Sequence, residues 1–193
     1  RQRQMCIRDR YQIMGLADLG TDTDEIVVGV SPGFGLKIFR TLAGHRLSAV
    51  LRALKAGIER GGGAMRVVRF WHTADTSFLG LSAARLSGSG IGIGIQSKGT
   101  AIIHQKDRLP HNNLELFSNA PVTALEHYEQ MGFNATFYAK RLLPNPIVVP
   151  TKGEALRARF HPRVALTYAI ETSMIEDNAS PENLKLTFLE QSA

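Results

Sequence analysis

A strand, a helix and a second strand follow one another within residues 25–71, and this order constrains the fold more than any other feature of the sequence. Glu25–Val30 (EIVVGV) has the length and apolar content of a buried strand. Residues 46–60 place aliphatic side chains along one helical face, and the glycines at 61–63 predict the end of that helix. Residues 65–71 (MRVVRFW) predict the next strand. Strands joined by a helix are normally parallel with a right-handed crossover, so the sequence predicts an α/β domain with a mostly parallel sheet and flanking helices.

Weaker patterns predict the rest of the chain. Residues 11–24 are polar and mixed, which is typical of an irregular lead-in. The other expected elements are, in chain order, a helix at 74–86, strands at 91–95 and 100–105, a long loop at 106–120, a helix beginning at Pro121 with Ser118 or Asn119 as its cap, an extended proline-rich connector at 143–150, and strand-like runs at 165–170 and 184–189. A length of 193 residues suits a single domain.

The formal net charge of +6 is concentrated at the start of the chain. The first ten residues, RQRQMCIRDR, contribute +3 of it. Residues 1–20 are interpreted as a non-native or disordered leader and residues 21–193 as the folded domain. The remaining charge is small and is not interleaved with aromatic residues, so it does not indicate nucleic-acid binding. Cys6 lies in the leader, which leaves the domain without a thiol for a disulfide, a zinc site or nucleophilic catalysis.

The hydropathy of the chain predicts no membrane association. No segment approaches the roughly 20 consecutive apolar residues that span a bilayer. The N-terminal residues do not lead into the apolar core of a signal peptide. The expected location is therefore the cytosol.

Glycine and isoleucine alternate in residues 90–95, GIGIGI. Because successive side chains of a strand point to opposite faces, one face is an isoleucine ridge and the other is bare backbone. Bare backbone costs conformational entropy and offers nothing to pack, so another group must approach it closely. The pattern alone leaves two interpretations open: an approaching ligand, or a tight helix contact or bulge within the chain itself.

This segment matches neither of the common phosphate-binding motifs. The Walker pattern requires Gly-Lys before Ser or Thr, whereas the order here is Lys98-Gly99-Thr100. The dinucleotide fingerprint fails as well, because Ser97 stands where its third glycine belongs. A glycine-rich turn with Lys98 beside it can still hold a phosphate through backbone N–H groups and one cation.

The segment SGSGIGIGIQSKGTAIIHQ, followed by LPHNNLELFSNAP, resembles the central block of the medium (beta) subunit of adenosylcobalamin-dependent diol or glycerol dehydratases. Weaker similarity extends from EIVVGVSPGFG at Glu25 to NATFYAKR at Arg141. The resemblance implies a Rossmann-like fold, in agreement with the predicted crossover. It also implies a non-catalytic subunit that holds and shields base-on adenosylcobalamin against a large barrel subunit. The implied reaction is radical dehydration of a 1,2-diol or glycerol to an aldehyde, for which the cofactor supplies the chemistry.

The same resemblance implies the partners of the chain. These are large and small dehydratase subunits, assembled as a dimer of heterotrimers, together with a reactivating factor. A potassium or calcium ion belongs to the large subunit. The family also implies a bacterial microcompartment as a location within the cytosol.

Five residues match cofactor contacts of the family. Asp75 resembles the carboxylate that accepts a hydrogen bond from a corrin amide, and Lys98 resembles the cation for the nucleotide-loop phosphate. Thr100 and Asn113 resemble nearby polar contacts, and Arg157 resembles a second phosphate partner. The flat corrin ring is expected to lie against the glycine face of residues 90–95.

Structural roles compete with these assignments. Asp75 is also placed to cap the helix at 74–86, and Lys98 suits a solvated loop. His104, in the apolar run AIIHQ, is interpreted as a hydrogen-bonded core histidine. The base-off cobalamin signature Asp-x-His-x-x-Gly is absent. We therefore predict neither a catalytic residue nor a metal ligand in this chain.

Other functions stay open at this point. One is the small, chaperone-like subunit of the dehydratase-reactivating factor, which is related to the medium subunit. Another is an independent α/β enzyme for a phosphorylated metabolite, with residues 31–35 and Lys98 as anion sites. A third is a scaffold protein of a bacterial microcompartment. Each predicts a different partner, which is how they can be separated.

Overall fold

A computed structural model describes residues 10–118, 120–149 and 154–187. Seven strands and four α-helices are formed, with a short 3-10 turn at Ala120–Val122 before the third helix. In chain order they are β1 (Arg10–Leu16), β2 (Glu25–Val30), α1 (Leu47–Arg60), β3 (Ala64–Arg69), α2 (Thr76–Leu86), β4 (Ile91–Ile95), β5 (Ala101–Gln105), β6 (Glu115–Phe117), α3 (Leu125–Ala139), α4 (Glu154–Thr172) and β7 (Glu182–Thr187).

All seven strands belong to one sheet in the order β1-β7-β3-β2-β4-β5-β6. The central strand β2 is parallel to both of its neighbours, β3 and β4. The outer strands β7 and β1 on one side, and β5 and β6 on the other, are added in antiparallel pairs. The parallel pairing of β2 with β3 and the helices packed on the sheet confirm the predicted α/β fold.

The local patterns locate the central elements well. Each of β2, α1, β3, α2, β4 and β5 begins and ends within two residues of its predicted bounds. Gly62, the second residue after α1, has φ = +79°, the left-handed conformation that the three glycines predict. Central elements are predictable because their apolar periodicity is strong and is set by burial on both sides.

Helices cover both faces of the sheet. Helices α1 and α3 pack on the face that carries the isoleucines of β4, and the main hydrophobic core lies there. Helix α2 packs on the opposite face, where Val27, Val68 and Leu79 belong to a smaller core. Strand β4 is therefore buried on both sides.

The glycine face of β4 lies directly under α2, so the expectation that a corrin ring rests on it is wrong. A Cβ atom on Gly92 would lie 2.2 Å from the backbone N of Ala84, and one on Gly94 would lie 2.3 Å from the backbone N of Gly80. Since the helix is itself small at Gly80, Ala83 and Ala84, its backbone approaches the strand closely. The bare strand serves packing within the chain.

Two terminal elements differ from the prediction. The expected irregular lead-in contains β1, which pairs with β7, for example Tyr11 with Leu186. Such a distant pairing leaves no local signal in β1. The run at 165–170 is helical and belongs to α4, because its β-branched and aromatic residues are outweighed by the helix around it. Pro162 lies inside this helix, although proline normally ends one.

The segment between β5 and α3 also differs from the prediction. The expected loop at 106–120 contains the short strand β6. Helix α3 begins at Leu125 instead of Pro121, and its cap is Ala124, whose N–H donates to Nδ1 of His127 at 2.9 Å. Ser118 is not the cap, and Asn119 lies outside the described residues. The run at 184–189 matches β7 as far as Thr187, where the described part ends.

Helix α4, with 19 residues, is the longest helix of the structure. Half of its described side chains are exposed, and Leu166 exposes 63% of its surface. Neither α4 nor any other described helix is long and apolar enough to cross a bilayer.

Candidate functional site

The carboxyl ends of β2 and β4 border a crevice. From β2 the chain passes through α1 to β3, which lies on one side of β2. From β3 it passes through α2 to β4, which lies on the other side of β2, and the two helices cover opposite faces of the sheet. The connections therefore reverse direction between β2 and β4. Ligands of open α/β sheets bind outside the strand ends at such a point. Here Ser31 follows β2 and the turn Gln96–Gly99 follows β4, with the N–H of Ser31 bonded to the carbonyl of Ile95 at 3.3 Å.

A cavity of about 410 Å³ opens beside this crevice. Its polar wall is made by Asp75, Thr76, Gln96, Lys98 and Thr100, and its other wall is made by Val164, Ala165 and Tyr168 of α4. Three of the five residues predicted as cofactor contacts thus line one cavity. The volume is within the range of ordinary small-molecule pockets, so it suits a protruding group of a larger ligand and not a whole macrocycle.

Asp75 is the N-cap of α2. Its Oδ1 accepts hydrogen bonds from the N–H groups of Ser77 at 2.8 Å and Phe78 at 3.3 Å. The capping role is therefore confirmed. Because both bonds use Oδ1, the cap does not require Oδ2, and the same carboxylate lines the cavity.

We expect Asp75→Ala to lower the free energy of unfolding by about 1 kcal/mol, because two N–H groups of the first turn lose their acceptor. Asp75→Asn is the matched control, since asparagine caps helices as well as aspartate does. Urea denaturation measures both variants. An alanine variant as stable as the asparagine variant would contradict the capping role.

Lys98 lies in the β4–β5 turn, half-buried at the cavity wall. Burial lowers the pKa of its ammonium group, and the negative charges of Glu171 and Asp75 act in the opposite direction. Lys98 has no salt bridge within the part of the chain that the structure describes. A partly desolvated ammonium without an ion pair gains more from a bound anion than a fully hydrated one does.

Gln96 and Thr100 complete the polar wall. The Gln96 amide donates to the carbonyl of Ala74, while its Oε1 is buried and has no partner among the described residues. Buried acceptors are rarely left unpaired, so this oxygen is available to an N–H donor of a ligand. Sequence analysis missed Gln96, although its position beside Lys98 in the same turn was a signal.

Asn113 is not brought to this wall. Strand β5 carries the chain to the opposite edge of the sheet, and the antiparallel pairing of Ala101 with Phe117 leaves Asn113 there, far from Thr100. Arg157 belongs to α4, but its side chain lies outside the described part of the structure. The predicted contacts of both residues stay predictions.

Glu171 of α4 is the functional candidate that sequence analysis missed. Its side chain is fully buried, and its Oε1 accepts hydrogen bonds from the hydroxyls of Ser31 and Ser97 and from the N–H of Ser97 at 3.1 Å. Burial raises the pKa of this carboxyl, while the two serines and the charge of Lys98 lower it. No local pattern indicates this contact, because Glu171 is 140 residues from Ser31.

His104 is held by hydrogen bonds within the chain. His104 is buried, accepts from the N–H of Gln105 through Nδ1 at 2.9 Å, and contacts the carbonyl of Pro110 through Nε2 at 3.0 Å. The prediction of a hydrogen-bonded core histidine is confirmed. Within residues 10–118, 120–149 and 154–187, no group of three His, Cys, Asp or Glu side chains is placed to hold a metal ion.

Comparison with known families gives a match to the model described as dehydratase medium subunit, over residues 31–145. This span is more than half of the chain. It includes the crevice and the polar wall of the cavity, and it ends before α4 and β7.

Two solved structures are similar to the chain. One is "Glycerol dehydratase reactivase", with a TM-score of 0.51 and 19% identity over 62% of this chain and 95% of that one. The other is "Structure of diol dehydratase-reactivating factor complexed with ADP and Mg2+", with a TM-score of 0.49 and 18% identity over 63% and 97% of the two chains. At such low identity, the first likeness supports the fold alone.

Proposed function

Since the chain belongs to the dehydratase medium subunit family, we propose that it is the medium subunit of an adenosylcobalamin-dependent diol or glycerol dehydratase. In this role it holds and shields the cofactor against a large catalytic subunit, and a small subunit completes the complex. The cofactor, when bound, supplies the radical that starts the dehydration. The single observation that carries the proposal is the common cavity of Asp75, Lys98 and Thr100.

The donor set of the cavity fits the edge of this cofactor. A corrin ring is edged with amides, and its nucleotide loop carries one phosphate. Lys98 supplies a partly desolvated cation for the phosphate. The buried Oε1 of Gln96 and the carboxylate of Asp75 supply acceptors for amide N–H groups. The chain would then bind and orient the rim of the macrocycle through Lys98, Gln96 and Asp75.

We expect Lys98→Ala to weaken cobalamin binding by the assembled complex about 10- to 150-fold, because a charge-assisted hydrogen bond worth about 1.5–3 kcal/mol is lost. Equilibrium dialysis of cyanocobalamin against the complex measures the affinity. Lys106→Ala is the matched control, since Lys106 is an exposed lysine at the other end of the β4–β5 hairpin. Equal affinities in the two variants would refute the role of Lys98.

Partner choice tests the proposed function as a whole. Co-expression with a large barrel subunit is expected to yield a complex that binds cobalamin, whereas the purified chain alone is expected to show no turnover of 1,2-propanediol or glycerol. The reactivating-factor alternative predicts a stable complex with an ATP-hydrolysing chain instead. Association with that chain and not with the barrel subunit would overturn the proposal.

A further inference from the structure

We propose that the crevice between β2 and β4 is an anion-binding site for a phosphate or carboxylate group, which the side chain of Glu171 fills in the isolated chain. The proposal goes beyond the proposed function and does not depend on it. It concerns Ser31, Ser97 and α4, of which α4 lies outside the matched family span.

Three donors converge on a single point of the crevice. The hydroxyls of Ser31 and Ser97 and the N–H of Ser97 all donate to Oε1 of Glu171. The two hydroxyl oxygens lie 3.3 Å apart. A cluster of hydroxyl and N–H donors at strand ends is the usual way in which a protein binds an anion without a metal.

The donor cluster satisfies only one oxygen of Glu171. All three donors use Oε1, while Oε2 is buried without a hydrogen-bond partner among the described residues. Burying an unpaired carboxyl oxygen costs free energy. The crevice therefore suits an anion whose other oxygens remain in water or contact Lys98. Glu171 cannot place its Oε2 in this way, because its side chain is attached to α4.

One cation, Lys98, adjoins the crevice. Ser97 lies between Gln96 and Lys98, which both line the adjoining cavity. Lys98 interacts electrostatically with Glu171, and Asp75 is the other carboxylate whose charge acts on Lys98. Burial raises the pKa of Glu171 above its ordinary value, so the closed crevice disfavours a fully buried carboxylate, and a bound anion must keep part of its charge in water or against Lys98.

Helix α4 controls access to the crevice. Tyr168, which lines the cavity, precedes Glu171 by one helical turn, so both lie on the inner face of α4. On the outer face Leu166 is 63% exposed. An anion can enter when α4 withdraws Glu171, and Glu171 closes the crevice again when the anion leaves.

Calorimetric titration with inorganic phosphate at constant ionic strength tests the proposal. We expect Glu171→Ala to bind phosphate at least tenfold more tightly than the unmodified chain. Adding Ser97→Ala to that variant should remove the gain. Glu171→Gln is the matched control, because glutamine has the same shape, remains in the crevice and should leave phosphate affinity unchanged. Equal phosphate affinity in Glu171→Ala and the unmodified chain would overturn the site.

Acetate and cyanocobalamin separate the sources of the anion. Acetate binding to Glu171→Ala identifies a carboxylate site, and phosphate binding identifies a phosphate site. Tighter binding of cyanocobalamin than of phosphate to this variant would assign the crevice to the phosphodiester of the cofactor. Binding of none of the three refutes the proposal and leaves the Lys98→Ala experiment on the assembled complex as a separate test of function.

Hydrogen exchange of α4 in the unmodified chain gives an independent test if Glu171→Ala does not fold. Phosphate is expected to accelerate exchange of the α4 amides, because it displaces Glu171. The raised pKa predicts the pH dependence: docking of α4 is strongest below the ordinary carboxyl pKa and weakens as the pH rises through the raised one. Glu171→Gln should remove that dependence. Exchange that is insensitive to phosphate would contradict the gating role.

Discussion

Replacing Gly94 with valine is expected to lower the free energy of unfolding by about 3 kcal/mol or more. A Cβ atom at this position would lie 2.3 Å from the backbone N of Gly80 and 2.7 Å from the carbonyl oxygen of Thr76. Both atoms belong to the backbone of α2, so no side-chain rotation can relieve the contact. The helix must lift from the sheet, and the smaller core beneath it opens.

Chemical denaturation of Gly94→Val should be compared with that of Gly44→Ala. Nothing lies within 4 Å of a Cβ atom at Gly44, whose φ is +91°, so that variant meets no steric contact and loses stability only because alanine is strained at a positive φ. This backbone strain costs about 1–2 kcal/mol. A loss no larger in Gly94→Val than in Gly44→Ala would show that α2 is not in tight contact with β4. Because α2 begins at Thr76, beside Asp75, the valine variant should also distort the cavity wall.

The second large effect is expected at the contact between α1 and α3. A Cβ atom on Gly57 would lie 1.8 Å from the carbonyl oxygen of Glu129, and one on Gly132 would lie 2.2 Å from the carbonyl oxygen of Leu54. Each helix therefore presents a glycine to the backbone of the other. We expect Gly57→Val to lower the free energy of unfolding by about 3 kcal/mol or more, because the two helices must separate.

Ala56→Val is the matched control for Gly57→Val. Ala56 is the preceding residue of α1 and is exposed, so its replacement costs only the difference in helix propensity, about 0.6 kcal/mol. Thermal and urea unfolding of the two variants measure the difference. Similar stabilities would mean that α1 and α3 can move apart without loss, in conflict with a close-packed core.

Residues that follow strand ends at the same edge of the sheet were predictable as neighbours, and those joined by distant contacts were not. Asp75, Lys98 and Thr100 meet because the chain passes the same edge of the sheet after β3 and after β4. Asn113 does not join them, since β5 runs back to the other edge before the chain reaches it. Glu171 escapes prediction because only the docking of α4 brings it to Ser31.

The alternating glycines of β4 show what a sequence pattern can predict and what it cannot. Their spacing correctly predicts a strand with one bare face and a close neighbour, but it does not identify that neighbour. The small residues of α2 carried the missing information, because Gly80, Ala83 and Ala84 recur at helical spacing. A helix with such a stripe, joined to the strand by a short turn, is the simplest partner for a bare strand.

The N-terminal strand was the hardest to predict, because its partner is far away in sequence. Strand β1 pairs only with β7, through contacts such as that between Tyr11 and Leu186. Several side chains of β1 remain exposed, among them Met14 at 57%, so no alternation of apolar and polar residues marks it. Burial creates periodicity, and an edge strand with little burial carries little of it.

The position of β7 has a consequence for the growing chain on the ribosome. Strand β7 lies between β1 and β3, although it is the last of the seven strands to be synthesised. Until residues 182–187 emerge, the outer edge of β3 has open hydrogen-bonding groups and β1 has no strand to join. Nascent chains therefore expose a sheet edge to one another during translation, and the final strand removes that aggregation hazard.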